Sequence, residues 1–132
     1  MSDPALALQK AVAAALKTAS VCDGRVYDRV PEPGKRFYPY CTLADDTLSN
    51  DGNSCWDQTE AFCTVHVWEQ NRPGHVNVKE QVGRIRAALD TEIVLDAPFK
   101  VISGSWQSTR FPPTGDALST HAVMTFRYII QH

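Results

Sequence analysis

The sequence predicts an α+β fold: an antiparallel sheet with two helices packed on one face, in the order α-β-β-β-α-β-β-β. Three observations lead there. Apolar residues recur at helical spacing in two segments, residues 4–18 and 78–89. At 58–69 and 118–130 they alternate instead with the period of a strand. The strand-like runs also follow one another across short turn-rich links, which join neighbours as hairpins rather than through crossover helices.

In the first segment Ala5, Leu8, Val12, Ala15 and Leu16 fall on one side of a helix, with Ser2 or Asp3 as the cap and Pro4 early in the first turn. Alanine and leucine give the stretch good helix propensity, and Gln9, Lys10 and Lys17 lie off the apolar stripe. Asp23-Gly24 makes a turn, and residues 25–30 read as a short extended piece. Pro31-Glu32-Pro33-Gly34 is loop. Residues 38–48 read as one strand, with Pro39 at an edge or a first position because it cannot donate to a ladder. The turn-forming run 49–54 reads as a protruding hairpin loop. In the strand 58–69, Ala61, Cys63, Val65 and Val67 share one face, and Phe62, Thr64, His66 and Trp68 the other.

Asn71-Arg72-Pro73-Gly74 ends that strand. Val78, Val82, Ile85 and Leu89 then mark the second helix, with Asn77 or His75 as its cap. A short strand is expected at 93–95. Two longer ones follow at 99–111 and 118–130, separated by Pro112-Pro113-Thr114-Gly115-Asp116. The last alternates Ala122, Met124, Phe126 and Tyr128 against His121, Val123, Thr125 and Arg127.

A chain of 132 residues has the size of one domain with one core, taken as residues 1–132. Its 43% apolar and 21% charged residues are ordinary for globular domains, and no run reaches the roughly 20 apolar residues of a membrane helix. The apolar run 5–16 lacks the marks of a signal peptide, since Asp3 precedes it and Lys10 interrupts it. The cytoplasm is therefore the expected compartment. A net charge of -2 without basic blocks argues against a general nucleic-acid binder, although it leaves room for a ring through which DNA passes.

Four cysteines, Cys22, Cys41, Cys55 and Cys63, are expected as free thiols, because a chain of this length with an ordinary core needs no stapling. Cys63 and His66 have a C-x-x-H spacing, yet on a strand they point to opposite faces and cannot share a zinc ion. Cys41 and Cys63 read as core residues on neighbouring strands, and Cys55 as the exposed thiol. A Cys-His nucleophilic pair has no local signature here. Asp45-Asp46 is the clearest acidic pair, but adjacent strand residues diverge, so a solvated strand end, or one inward and one interface carboxylate, is a better reading than a metal site. No nucleophile elbow, P-loop, dinucleotide fingerprint or HExxH motif occurs. No catalytic residue, cofactor or metal site is expected.

Taken in order, the segments resemble the tail completion, or tail terminator, proteins of long-tailed phages and gene transfer particles. The resemblance is carried by the helix Leu8-Gln9-Lys10-Ala11-Val12-Ala13-Ala14-Ala15-Leu16, then by Gly24-Arg25-Val26-Tyr27-Asp28-Arg29-Val30-Pro31. Phe37-Tyr38-Pro39-Tyr40 leading to Asp45-Asp46 comes next, then Val65-His66-Val67-Trp68, Arg84-Ile85-Arg86-Ala87-Ala88-Leu89 and a closing hairpin. It implies a small α+β fold, a hexameric ring at the head-proximal end of the tail tube, and no catalysis. The implied partners are copies of the chain, the tail tube protein and head-tail connector proteins, with DNA passing through the ring without specific binding and no membrane. The implied location is the virion, after assembly in the host cytoplasm.

A ring subunit gives two different patches to its neighbours, and a stable contact hides about 800 Å² per partner. The loops at 50–54 and 110–116 are the expected arms. Asp46, Trp56, Arg110 and Phe111 are the candidate interface residues, Trp and Arg being the types that dominate interface energies. The competing readings are a head-side connector or stopper of the same ring habit, a small cytoplasmic cysteine enzyme, and a monomeric binding module.

Overall fold

The computed structural model describes residues 3–52, 57–70, 76–90, 93–115 and 119–132. Helix α1 spans Ala5–Thr18 and helix α2 spans Val76–Leu89. Six strands form one mixed sheet: β1 (Val26–Tyr27), β2 (Tyr40–Leu43), β3 (Thr47–Asn50), β4 (Gln58–Gln70), β5 (Lys100–Arg110) and β6 (Ser119–Gln131). The order across the sheet is β1-β2-β4-β6-β5, with β3 on β4 as well. The α+β class with both helices on one face of the sheet is as expected, while the element order is α-β-β-β-β-α-β-β.

Helix α1 begins at Pro4, which occupies the cap position, and Asp3 Oδ1 accepts the Ala5 N–H at 2.8 Å. The cap expected at Ser2 or Asp3 is thus a proline whose exposed donor neighbour is satisfied by the residue before it. Leu8, Val12 and Leu16 of α1 and Val78, Ile85 and Leu89 of α2 are all buried. They meet the sheet face formed by Ala61, Cys63, Val65 and Val67 of β4 and by Ala122, Met124, Phe126, Tyr128 and Ile130 of β6. Register makes that face: Ala61 stands opposite Tyr128, Cys63 opposite Phe126, Val65 opposite Met124 and Val67 opposite Ala122. Each large side chain so buried contributes about 1.5–3 kcal/mol.

Three expectations are corrected. The run 38–48 is two strands. Between the pairs Leu43↔Val65 and Thr47↔Phe62, residues 44–46 face only Thr64 and Cys63, so one residue is left over and the chain bulges. Asp45 absorbs the bulge with a φ of 63°, a left-handed conformation that Asp tolerates better than most residues. The Asp46 carboxylate fills the gap left in the ladder by accepting the Thr64 N–H at 3.1 Å.

Secondly, β1 is parallel to β2, pairing Val26 with Cys41 and Tyr27 with Thr42. Residues 28–39 are long enough to return the chain to its starting end. Arg25 then ties the returning segment down through Nε to Pro39 O at 2.9 Å and Nη2 to Tyr38 O at 3.1 Å.

Thirdly, residues 93–95 alternate without pairing in the sheet. Ile93 and Leu95 are buried in the core while Val94 is 76% exposed, so the period of two reflects a segment plugging the core.

Candidate interaction surface

The face of the sheet turned away from the helices carries a second, half-buried row of side chains. Tyr40 lies opposite Trp68, and Trp68 opposite His121, so three rings from β2, β4 and β6 fall on one line. The Trp68 and His121 rings stack at 3.7 Å with 8° between planes, and Tyr40 stacks on the other side of Trp68 at 6.4 Å. His66, one row along, places Nδ1 3.0 Å from His121 Nε2 and Nε2 3.2 Å from Asp45 Oδ2. An aromatic strip ending in a histidine pair and an exposed carboxylate thus crosses the sheet. Trp68 Nε1 is buried and finds no acceptor among the described residues.

Burial, then the neighbouring His66 and Arg110, push the His121 pKa down to about 4. A base whose pKa falls on folding stabilises the fold above its unfolded value, near 6.5, and that contribution is lost as pH drops through about 4. Melting temperature should therefore fall between pH 7 and pH 4.5, and His121→Asn should flatten that slope. Identical slopes for the two proteins would rule out His121 as the acid-sensitive group.

Strand β5 is the outermost strand beyond β6, and all its residues except Val101 and Thr109 are exposed. Trp106, 39% exposed, lies under the Arg86 guanidinium with 4.0 Å from Cζ to the ring centroid, and its Nε1 donates to Thr109 Oγ1. Cation–π contacts of this kind contribute about 0.5–1 kcal/mol at exposed sites. Ile102 is 47% exposed. Between β5 and the end of α2 runs a cleft of about 250 Å³, lined by Arg86, Leu89, Ile93, Trp106 and Tyr128 among others.

The residues singled out from sequence fall in different places. Arg110 is exposed at the end of β5, opposite Val123 and close enough to His121 to influence its charge. Phe111 follows it, partly buried against the core, with Lys79 Nζ 5.3 Å above its ring. Asp46 belongs to the β2–β3 bulge, where burial raises its pKa, and Asp45 is the carboxylate that faces out. Trp56, Cys55 and His75 lie outside the described residues, as do residues 53–54 of the expected 49–54 loop, whose first two residues belong to β3. Arg110 reaches the histidine pair from the β5 side and Asp45 from the β2–β3 side; Phe111 is separate.

Cys22, Cys41 and Cys63 are buried free thiols. The Cys41 thiol and burial push Cys22 up, and burial with the nearby Asp46 pushes Cys63 up, away from the thiolate that a nucleophile needs. His66 and His121 stand on the opposite face from Cys63, so no Cys-His pair forms between them. No cluster of three or more metal-binding side chains occurs among the described residues. Sequence reasoning put His66 and His121 on outward faces but missed their contact. The outward alternation in both strands was the available signal, and only the register that sets Trp68 against His121 turns it into a strip.

The fold and this surface define a class: a small α+β protein whose distinctive features are an aromatic sheet face and an open edge. The family model for tail completion protein gp17 matches residues 5–131. The chain therefore belongs to that family and is a structural phage-tail protein, not an enzyme. Among solved structures it is similar to a chain of the "Virion of native gene transfer agent (GTA) particle". The two share 20% identity with a TM-score of 0.86, and the match covers 100% of each chain. A comparison with curated proteins gave no match. No helix among the described residues is long and apolar enough to cross a membrane.

Proposed function

We propose that the protein is a tail terminator: a single domain that assembles into a hexameric ring, caps the head-proximal end of the tail tube and presents the surface to which the filled head is joined. The family match over residues 5–131 carries this reading. The likeness of fold to a chain of a gene transfer agent virion supports it, as does a sheet with a bare face and an open edge. Its partners are further copies of itself, the tail tube protein and head-tail connector proteins, and its place is the virion after assembly in the host cytoplasm. DNA passes through the ring without specific binding, in keeping with a net charge of -2. Asp46, Trp56, Arg110 and Phe111 are the proposed contact residues, with Arg110 the most accessible of those described.

Deleting the gene should give overlong or unjoined tails by electron microscopy, and the purified protein should bind the ends of tail tubes. Normal tails beside leaking heads would instead assign the chain to the head side as a stopper.

A further inference from the structure

We propose that Cys22 and Cys41 are an internal disulfide site: two thiols while the chain assembles in the cytoplasm, and one cross-link once the particle meets an oxidising medium. The timing rests on the tail-terminator reading, whereas the pairing rests on the fold. Both residues are free and 0% exposed, and their thiols hydrogen-bond to one another. Backbone bonds set that contact. The Cys22 carbonyl accepts the Arg25 N–H at 3.0 Å, and the Arg25 carbonyl accepts the Cys41 N–H at 3.0 Å. Val26, next in the chain, stands opposite Cys41 in the parallel β1–β2 pair. A disulfide needs its sulfurs at about 2.05 Å and its two Cα atoms close together, and thiols already in contact meet the second need before the bond forms. Cys63, the other described thiol, is placed elsewhere. Cys41 lies opposite Val67, four residues along β4 from Cys63, a displacement of about 13 Å along an extended strand.

The bond would close on a weakly held part of the sheet. Cys22 belongs to a left-handed run, with φ of 55° at Ser20, 51° at Cys22, 54° at Asp23 and 81° at Gly24. Only the glycine adopts that conformation freely, so surrounding contacts must impose it on the others. Gln81 Oε1 accepts the Cys22 N–H at 2.9 Å, and the Arg25 side chain holds the Tyr38 and Pro39 carbonyls. The strand that follows, β1, is two residues long, lies at the edge of the sheet and is paired in parallel, the weaker mode per residue. A link from Cys22 to Cys41 ties this junction to β2 and restricts the chain between them in every opened state.

The oxidant is a small-molecule disulfide such as oxidised glutathione. One cysteine, as thiolate, attacks it, forming a mixed disulfide and releasing one small thiolate. The other cysteine, as thiolate, then attacks the protein-side sulfur and expels the second small thiolate. Two electrons pass to the small disulfide, and the two protons lost by the cysteines end on the two small thiols. Exchange needs exposure and a thiolate, so it waits for the strained run to open locally. In a reducing cytoplasm the pair stays reduced; outside the cell the cross-link persists.

The test incubates the purified full-length protein with oxidised glutathione, alkylates the remaining thiols in denaturant, and maps peptides by mass spectrometry beside a non-reducing gel. A monomeric product linking Cys22 to Cys41, with Cys63 alkylated, is expected. Its melting temperature should rise by roughly 10 °C and fall back with dithiothreitol. Cys41→Ser and Cys22→Ala should each abolish the link and the shift. Glutathione adducts without a link, a main product through Cys55 or Cys63, or a linked protein no more stable than the reduced one would overturn the site. Released particles should carry the link, and chain taken from the cytosol should not; reduced particles would overturn its use after release. Failure of the protein to bind tail-tube ends would instead remove the terminator reading and leave the cysteine pairing untouched.

Discussion

Ile85→Ala should destabilise the fold by about 2–5 kcal/mol, a large part of the roughly 5–15 kcal/mol that holds a domain of ordinary stability together. Ile85 is fully buried in α2, in the same cluster as Val65, Met124 and Phe126. Alanine there removes apolar area and leaves a cavity, because a helix seated on a sheet relaxes only in part. Urea unfolding should show a lower midpoint with an unchanged slope, whereas the exposed neighbour Arg84→Ala should stay within about 0.5 kcal/mol of wild type. A loss below about 1 kcal/mol at Ile85 would mean that α2 is not anchored where the structure has it.

Gly104→Val should cost about 1–3 kcal/mol, through overpacking rather than a cavity. A Cβ at this position would stand 3.0 Å from both Cδ1 and Cε1 of Tyr128, directly opposite on β6. Tyr128 is 2% exposed and stands opposite Ala61 of β4, so its ring has little room to retreat. Glycine therefore lets β5 close onto an aromatic ring. Denaturant melts should place Gly104→Ala between wild type and Gly104→Val. Equal stability of all three proteins would show that β5 yields freely.

The two helices and the long strands β4 and β6 were legible in the chain because each repeats its pattern over ten residues or more, and β5 because turn-forming residues bracket it. Leu8, Val12 and Leu16 announce α1, and the alternation from Ala61 to Val67 announces β4 with the correct inward face. Shorter pieces were not legible. Residues 93–95 carry a strand's alternation without a strand's partner, and 38–48 look continuous until Asp46 is seen replacing a backbone acceptor for Thr64. The candidate site was only partly visible. Arg110 emerged as an accessible charge at the end of β5, while His66, His121 and Asp45 had been passed over as separate surface residues.

By itself the sequence determined the α+β class, the absence of known catalytic signatures, the inward faces of helices and long strands, and, through the order of its segments, the tail completion family. Those properties depend on residue types and on short-range spacing, which a chain carries before it folds. The tertiary structure alone decided the parallel turn of β1, the bulge between β2 and β3, the strip from Tyr40 through Trp68 to His121, and the place of β5 at the sheet's edge. Each of these pairs residues far apart in the chain, such as His66 with His121 or Lys100 with Gln131. Such pairings are set by register and packing, and a shift of one residue would turn every side chain of a strand to its other face.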